Sequence, residues 1–216
     1  MDIKNINTLF LDWSETLSTS KFWEQFSDPK HKHFELYEQI QEKVFKQNKA
    51  LLEKWMRGQH TTEEVLIEIA SDLNFNYEKL LSEFIYSVEN MKFVSDDIVP
   101  IIKLIQSHNI KVVVATDNMD YFHRWTNKAL DLNNIFDGIL NSYYLKVRKN
   151  DFIDNNSLFF DPYIKSNNID KTKTVLIDDS VKIRDSIEKY GMNFIGIEKG
   201  QLLPELKKLL SDLNKS

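Results

Sequence analysis

Cysteine is absent from this 216-residue sequence, which removes disulfides, thiolate metal sites and a cysteine nucleophile together and fits a reducing compartment. The cytoplasm is therefore the expected location. Basic charge is also in short supply. Only 28 Lys and Arg stand against 33 Asp and Glu, a formal net charge of −5, so no cationic surface for a phosphate backbone is expected, and no nucleic-acid partner. No apolar run approaches the ~20 residues that span a bilayer, and the opening MDIKNINT has neither the basic n-region nor the apolar h-region of an export signal. No membrane partner is expected. Internal repeats, low-complexity tracts and long linkers are missing too. What remains, 42% hydrophobic and 28% charged, suffices for one good core and a smaller appended unit.

The stretch Thr8 to Leu17, TLFLDWSETL, is an apolar run that reads as a buried strand and ends in one aspartate, Asp12. Short β-branched or aromatic runs predict strands at Leu9–Asp12, Val112–Thr116, Ile139–Ser142, Val175–Asp178 and Phe194–Ile197. Helix-length segments separate the later ones. One opens at Ser95, Asp96 and Asp97 and runs through Ile101, Leu104 and Ile105; others span roughly Tyr121–Leu130, Leu158–Ser166 and Val181–Tyr190, the last closed by Gly191. This alternation predicts an α/β fold, a Rossmann-like doubly wound parallel sheet whose ligands bind outside the carboxyl ends of the strands.

Between Leu17 and about Lys92 the strand signal vanishes. Helices are expected there at His33–Met56, at Thr62–Leu73 with a capping box from Thr61 and Glu64, and at Tyr77–Asn90. The division that follows is an α/β core of residues 1–17 and 93–216 with an inserted α-helical cap of residues 18–92, placed as a lid over the site. Leu202 to Leu213 reads as an amphipathic helix packed on the core.

Four segments then converge at strand ends: TLFLDWSETL, KVVVATDN (Lys111–Asn118), LKVRKND (Leu145–Asp151) and TVLIDDS (Thr174–Ser180). A carboxylate nucleophile such as Asp12 reaches a phosphoryl group only where the negative charge is neutralised. Asp178 and Asp179 beside Asp12 would repel strongly unless a hard cation such as Mg²⁺ lay among them. The Thr116 hydroxyl, helped by backbone N–H groups at the start of the following helix, suits phosphoryl oxygens. Lys149 supplies a fixed positive charge.

In order and spacing these segments resemble the motifs of the haloacid dehalogenase (HAD) superfamily: an apolar strand ending in DxDxT, a second strand ending in Thr or Ser, a lysine, and an acidic pair after a further strand. The resemblance implies that Asp12 is a covalent nucleophile, that Thr16 supports the first loop, and that Thr116 and Lys149 hold the phosphate with the Asp117 and Asn118 turn. It also implies Mg²⁺ held by Asp12, Asp178, Asp179 and the carbonyl of Ser14. Lys149 is preferred to its neighbours Lys146 and Arg148 because VRKND is similar to the family's V-x-K-P-D, with Asn150 in the proline position. Residues 18–92, including WMRGQHTTEEVLIEIA, look like the C1-type helical cap of the family's phosphatases and dehalogenases.

At Ser14 the sequence departs from the family pattern. A second Asp usually stands there, protonating the leaving oxygen and then activating water; a serine hydroxyl does not titrate near neutral pH. The implied function is a Mg²⁺-dependent phosphatase for a small phosphorylated metabolite, working through an aspartyl-phosphate with its acid replaced by Ser14. Two alternatives accommodate the same change: a 2-haloacid dehalogenase-like hydrolase, whose halide leaves without a proton, and a catalytically weak HAD-fold protein that binds a phosphorylated ligand. His31 and His33 read as exposed cap surface. Phe22 and Trp23, close behind the nucleophile loop, are candidates for shaping specificity; His123 and Arg124, one or two helical turns after TDN, could each reach the site, with helix-surface positions as the default.

Overall fold

The computed structural model describes residues 5–215. In chain order its strands are β1 (Thr8–Leu11), β2 (Lys111–Thr116), β3 (Gly138–Asn141), β4 (Phe152–Ile153), β5 (Asn156–Ser157), β6 (Thr174–Asp178) and β7 (Asn193–Gly196). Five of them form a parallel sheet in the order β3-β2-β1-β6-β7, and β4 and β5 make a separate antiparallel hairpin. Each expected strand is present and begins one residue before its apolar run. The strand order reverses between β1 and β6, where Leu11 pairs with Ile177. In a doubly wound sheet this switch point opens the crevice in which ligands bind.

β1 and β6 are buried along their whole length, which is why they read as unbroken apolar runs rather than alternating ones. Alternate residues serve the two faces. Leu9, Leu11, Val112, Val114, Val175 and Ile177 join one apolar cluster, whereas Phe10, Val113, Ala115 and Leu176 join another.

Between β1 and the next sheet strand lie α1 (Phe34–Ile40), α2 (Lys49–Met56), α3 (Thr62–Asp72), α4 (Tyr77–Glu89) and α5 (Ile98–Ser107). The expected capping box of Thr61 and Glu64 starts α3. The single helix expected over His33–Met56 is broken in two. A π-helical segment, Gln41–Gln47, follows α1, and at Asn48 the backbone leaves the helix (φ −94°, ψ 61°) while its side chain accepts from the Leu51 N–H to open α2. Asparagine suits an N-cap better than a helix interior. Trp23, Phe26, Trp55 and Phe84 belong to the same apolar cluster as Leu9 and Leu11, so these helices pack continuously with one face of the sheet.

Further along come α6 (Asn127–Ala129), α7 (Leu132–Ile135), α8 (Ser142–Leu145), α9 (Asp161–Ser166), α10 (Arg184–Tyr190) and α11 (Leu202–Asn214). The helix expected over Tyr121–Leu130 opens as a π-helical turn, Phe122–Thr126, before α6. The one expected over Leu158–Ser166 starts only at Asp161, with Pro162 in its first turn, because Phe159 and Phe160 are drawn fully into the core. The β4–β5 hairpin was not foreseen. Its turn residues Asp154 and Asn155 have φ of 49° and 61°, the paired positive values of a tight two-residue turn, which Asn and Asp tolerate best. Gly191 closes α10 at φ 100°, and α11 buries Leu202, Leu206, Leu209 and Leu213 as its leucine stripe predicts. Among the described residues no helix is long and apolar enough to cross a membrane.

Candidate active site

Asp12 is the first residue beyond β1, and its N–H still donates to the Ile177 carbonyl of β6 at 3.1 Å. Neighbouring parallel strands thus deliver Asp12 and Asp178 to the same sheet edge. With Asp179 they bring three carboxylate oxygens within 4.8 Å of one another. Lys149 reaches this cluster from the loop after α8. Its Nζ donates to Asp12 Oδ1 at 2.7 Å and to Asp178 Oδ2 at 2.5 Å, and the Ser180 N–H donates to the other Asp178 oxygen at 2.7 Å. Asp12, Lys149 and Asp178 are all buried. Asp12 Oδ2 has no hydrogen-bond donor among the described residues.

One ammonium among three acids leaves the cluster short of positive charge. Burial pushes the Asp12 carboxyl up to about 7; Lys149 pulls it down, while Asp178 and Asp117 push with the burial. For Lys149 burial opposes the charged form, yet attraction to Asp12, Asp178 and Asp117 prevails and holds the amine above its ordinary value. Asp179 is raised as well, by burial first and then by Asp178. Three hard oxygen donors in a cluster with uncompensated negative charge fit Mg²⁺ or a similar oxygen-seeking divalent cation. A cleft of about 360 Å³ opens over these groups, with Ser14, Asp117, Met56 and Arg148 also in its wall.

No protein-family model and no curated protein matches the sequence, but solved structures do match the fold. A HAD family enzyme from Bacteroides thetaiotaomicron, solved as a magnesium complex, superposes with a TM-score of 0.70 at 15% identity over 95% of this chain and 100% of its own. A HAD-like family hydrolase from Porphyromonas gingivalis gives 0.68 at 15% identity, over 95% and 98%. The fold is that of the HAD-like hydrolases. A dehalogenase shares it with a TM-score of 0.65, 13% identity and coverage of 95% and 96%.

Within this HAD-like fold the residues singled out from sequence do not all gather in the cleft. Thr116 closes β2 fully buried, and its Oγ1 has no partner among the described residues, as is also true of Thr16 Oγ1. A buried hydroxyl without a partner costs about 1–3 kcal/mol. Ser14 is exposed and lines the cleft. It is followed by Glu15 at φ 59°, pinned by its N–H to the Ser18 carbonyl and by its own carbonyl to the Gly200 N–H, each at 2.7 Å.

In the turn after β2 the Asp117 carboxylate accepts from the Lys149 N–H at 2.9 Å and pairs with Arg148 at 3.2 Å, so it orients the lysine loop. The Asn118 N–H donates to Ser142 Oγ at 2.9 Å, and its side-chain Nδ2 is buried with no partner among the described residues. Of the three neighbouring cations, Lys149 alone enters the carboxylate cluster: Arg148 turns to Asp117 and Glu53, and Lys146 donates to the Gly58 carbonyl at 3.0 Å.

The sequence reading missed the seam between α2 and the lysine loop. Arg57 pairs with both oxygens of Asp151, at 2.5 and 2.9 Å, and Glu53 binds both Arg57 and Arg148. The i,i+4 spacing of Glu53 and Arg57 was visible, but nothing local announces their partners about 95 residues away. A second tie was missed as well. Asp120 accepts from Trp55 Nε1 at 3.0 Å and from Thr62 Oγ1 at 2.6 Å, and Arg124 bridges Asp120 and Glu63. Arg124 is thus a tie between α3 and the segment after β2 rather than an idle surface cation. Trp23 is fully buried with its Nε1 on the Leu80 carbonyl, which removes it as a specificity residue. His31 and His33 stack with Phe26 in a ring cluster.

Proposed function

We propose that this protein is a Mg²⁺-dependent phosphatase of HAD-like fold that transfers the phosphoryl group of a small phosphorylated metabolite to Asp12 and then to water. The observation that carries this reading is the cluster of Asp12, Asp178 and Asp179 with Lys149 buried between two of them. Asp12, Asp178 and Asp179 would hold the cation, with the Ser14 carbonyl as a further ligand. When bound there, such a cation would neutralise the phosphoryl charge that otherwise repels the nucleophile.

The residues of the chain do the rest. Lys149 fixes Asp12 through Oδ1 and leaves Oδ2 to attack phosphorus. Its charge also stabilises the equatorial oxygens of the transition state. The unpartnered Thr116 hydroxyl would be satisfied by a phosphoryl oxygen. Asp117 holds Lys149 in place through the backbone N–H. Ser14 can donate a hydrogen bond to the departing oxygen but cannot pass it a proton as a carboxyl group does. The helices between β1 and α5 act as the cap, with Met56 in the wall of the cleft.

The dehalogenase alternative gains from Ser14, because a halide departs without protonation. The acidic cluster weighs against it, since an aspartate nucleophile acting on an uncharged carbon has no use for two further carboxylates. A panel of phosphoesters with Mg²⁺, run beside haloacetates, separates the readings. Phosphate release that falls by roughly 10⁴ or more in Asp12→Asn is the expected outcome; halide release without metal and no phosphate release would reverse it.

A further inference from the structure

A second cavity adjoins the carboxylate cleft. It measures about 220 Å³; Trp13, Phe22, Phe45, Met91 and Tyr121 form its apolar wall, and polar side chains including Lys21 and Gln41 complete its lining. Ser14 and Glu15 line both spaces, so the nucleophile turn is their common partition. The aromatic wall is pre-organised: Phe22 stacks on Phe45 at 5.1 Å and 18°, and Tyr121 stands edge-on to Phe22 at 5.0 Å and 89°. Trp13 is held in turn by edge contacts to Phe122 at 5.1 Å and Phe93 at 5.7 Å.

The size of the cavity selects its occupant. An engineered apolar cavity of about 150 Å³ accepts benzene, whereas pockets for drug-sized ligands start near 300 Å³. A space of 220 Å³ therefore suits one substituted ring. Offset and edge-on aromatic contacts add about 0.5–1.5 kcal/mol each to plain burial.

The chemistry of the partition points the same way. Ser14 brings no titratable proton to the leaving oxygen, and the Glu15 carboxylate beside it pairs with Lys199 at 3.5 Å, so a leaving group that is stable as an anion is favoured. A phenolic hydroxyl has a pKa of about 10, several powers of ten more acidic than an alkanol, which resembles water at about 15.7.

We propose that the substrate is the phosphomonoester of a single-ring aromatic alcohol, a phenol, with the ring in the Trp13–Phe22–Phe45 cavity and the phosphoryl group over Asp12. This rests on the phosphatase reading and narrows it. A carboxylate oxygen of Asp12 forms a bond to phosphorus as the bond from phosphorus to the phenolic oxygen breaks, and the electron pair leaves with the phenolate. Water then adds to phosphorus, the Asp12–phosphorus bond breaks with its pair returning to the carboxylate, and the water proton passes to solvent.

The test compares phenyl phosphate (ring, good leaving group), acetyl phosphate (good leaving group, no ring) and benzyl phosphate (ring, alkoxide leaving group) in the parent and in Phe45→Ala. Phe45 is only half-buried, and thermal melts confirm that the variant folds. The expected result is the highest kcat/KM for phenyl phosphate in the parent and a fall of about tenfold in the phenyl-to-acetyl ratio in the variant. Equilibrium binding of phenylphosphonate, followed by tryptophan fluorescence, should be at least tenfold tighter than that of methylphosphonate in the parent, with the preference lost in Phe45→Ala. Turnover of acetyl phosphate with an unchanged ratio in the variant would overturn the aromatic assignment and leave the phosphatase reading standing. If no phosphoester turns over, the phosphatase reading fails, and phenylphosphonate binding alone then decides whether the cavity holds a ring.

Discussion

Arg148 and Lys149 are consecutive residues in very different ionic company. Arg148 belongs to a seam with Arg57, Glu53, Asp151 and Asp117, two cations and three carboxylates, with every side chain between 15% and 37% exposed. Lys149 is the single cation among Asp12, Asp178 and Asp179, and the side chains it touches are no more than 8% exposed. The seam lies partly in water, so it joins α2 to the loop at modest gain per pair. In the cluster Asp12, Asp178 and Lys149 are buried and Asp179 is half-buried, and an unbalanced arrangement of this kind costs free energy unless something else neutralises it. That contrast separates a structural tie from a reactive centre.

The largest expected effect comes from making the imbalance worse. Ser14→Asp adds a carboxylate to the partition of the acidic cleft and supplies the missing general acid. With Mg²⁺ present, turnover of alkyl phosphates should rise by a measurable part of the ~10² to 10⁴ that general acid catalysis contributes, and the dependence on leaving-group pKa should flatten. An unchanged slope with the metal bound would show that another group already delivers the proton.

Removing the lone cation comes next. Lys149→Met strands buried carboxylates and should cost about 3–5 kcal/mol in metal-free protein at pH 8, whereas Arg57→Gln in the seam should cost less than about 2 kcal/mol. Chemical denaturation of both variants measures the difference. The pH dependence has a definite sign. Burial raises Asp12 from its ordinary value to about 7, so the stability gained by protonating it is fully present below about pH 4 and lost as pH climbs through about 7. Metal-free protein should therefore weaken across that window. The penalty of Lys149→Met should shrink as pH falls. Equal costs for the two variants, or a penalty insensitive to pH, would erase the distinction between seam and cluster.

Much of the α/β core was legible because its signals are local. TLFL, VVVAT and TVLID are apolar runs that only buried parallel strands explain, and the aspartates follow them directly in sequence. Asp12, Asp178 and Asp179 could be grouped because strands of one parallel sheet end at one edge. Lys149 was legible only through its resemblance to a family motif, since nothing in VRKND distinguishes it from Arg148. The break at Asn48 lay beyond periodicity, because α1 and α2 carry similar helical spacing on either side of it. The contacts of the Asp117 carboxylate were hidden in the sequence, because its oxygens face a loop 31 and 32 residues later. The aromatic cavity draws on Trp13, Phe22, Phe45, Met91 and Tyr121, five separate places in the chain, and no spacing joins them.

The claim that the buried cluster is unbalanced because it is a cation site is tested most directly by thermal melts of the parent, Asp179→Asn and Arg57→Gln at pH 8, each with and without millimolar Mg²⁺. Metal binding to the folded state should stabilise the parent by about 1–3 kcal/mol, the Arg57→Gln seam variant by the same amount, and Asp179→Asn by little or nothing. In the parent the gain should decline as pH falls below about 7, where a proton on Asp12 competes with the metal. No shift in the parent, or an equal shift in Asp179→Asn, would contradict the account.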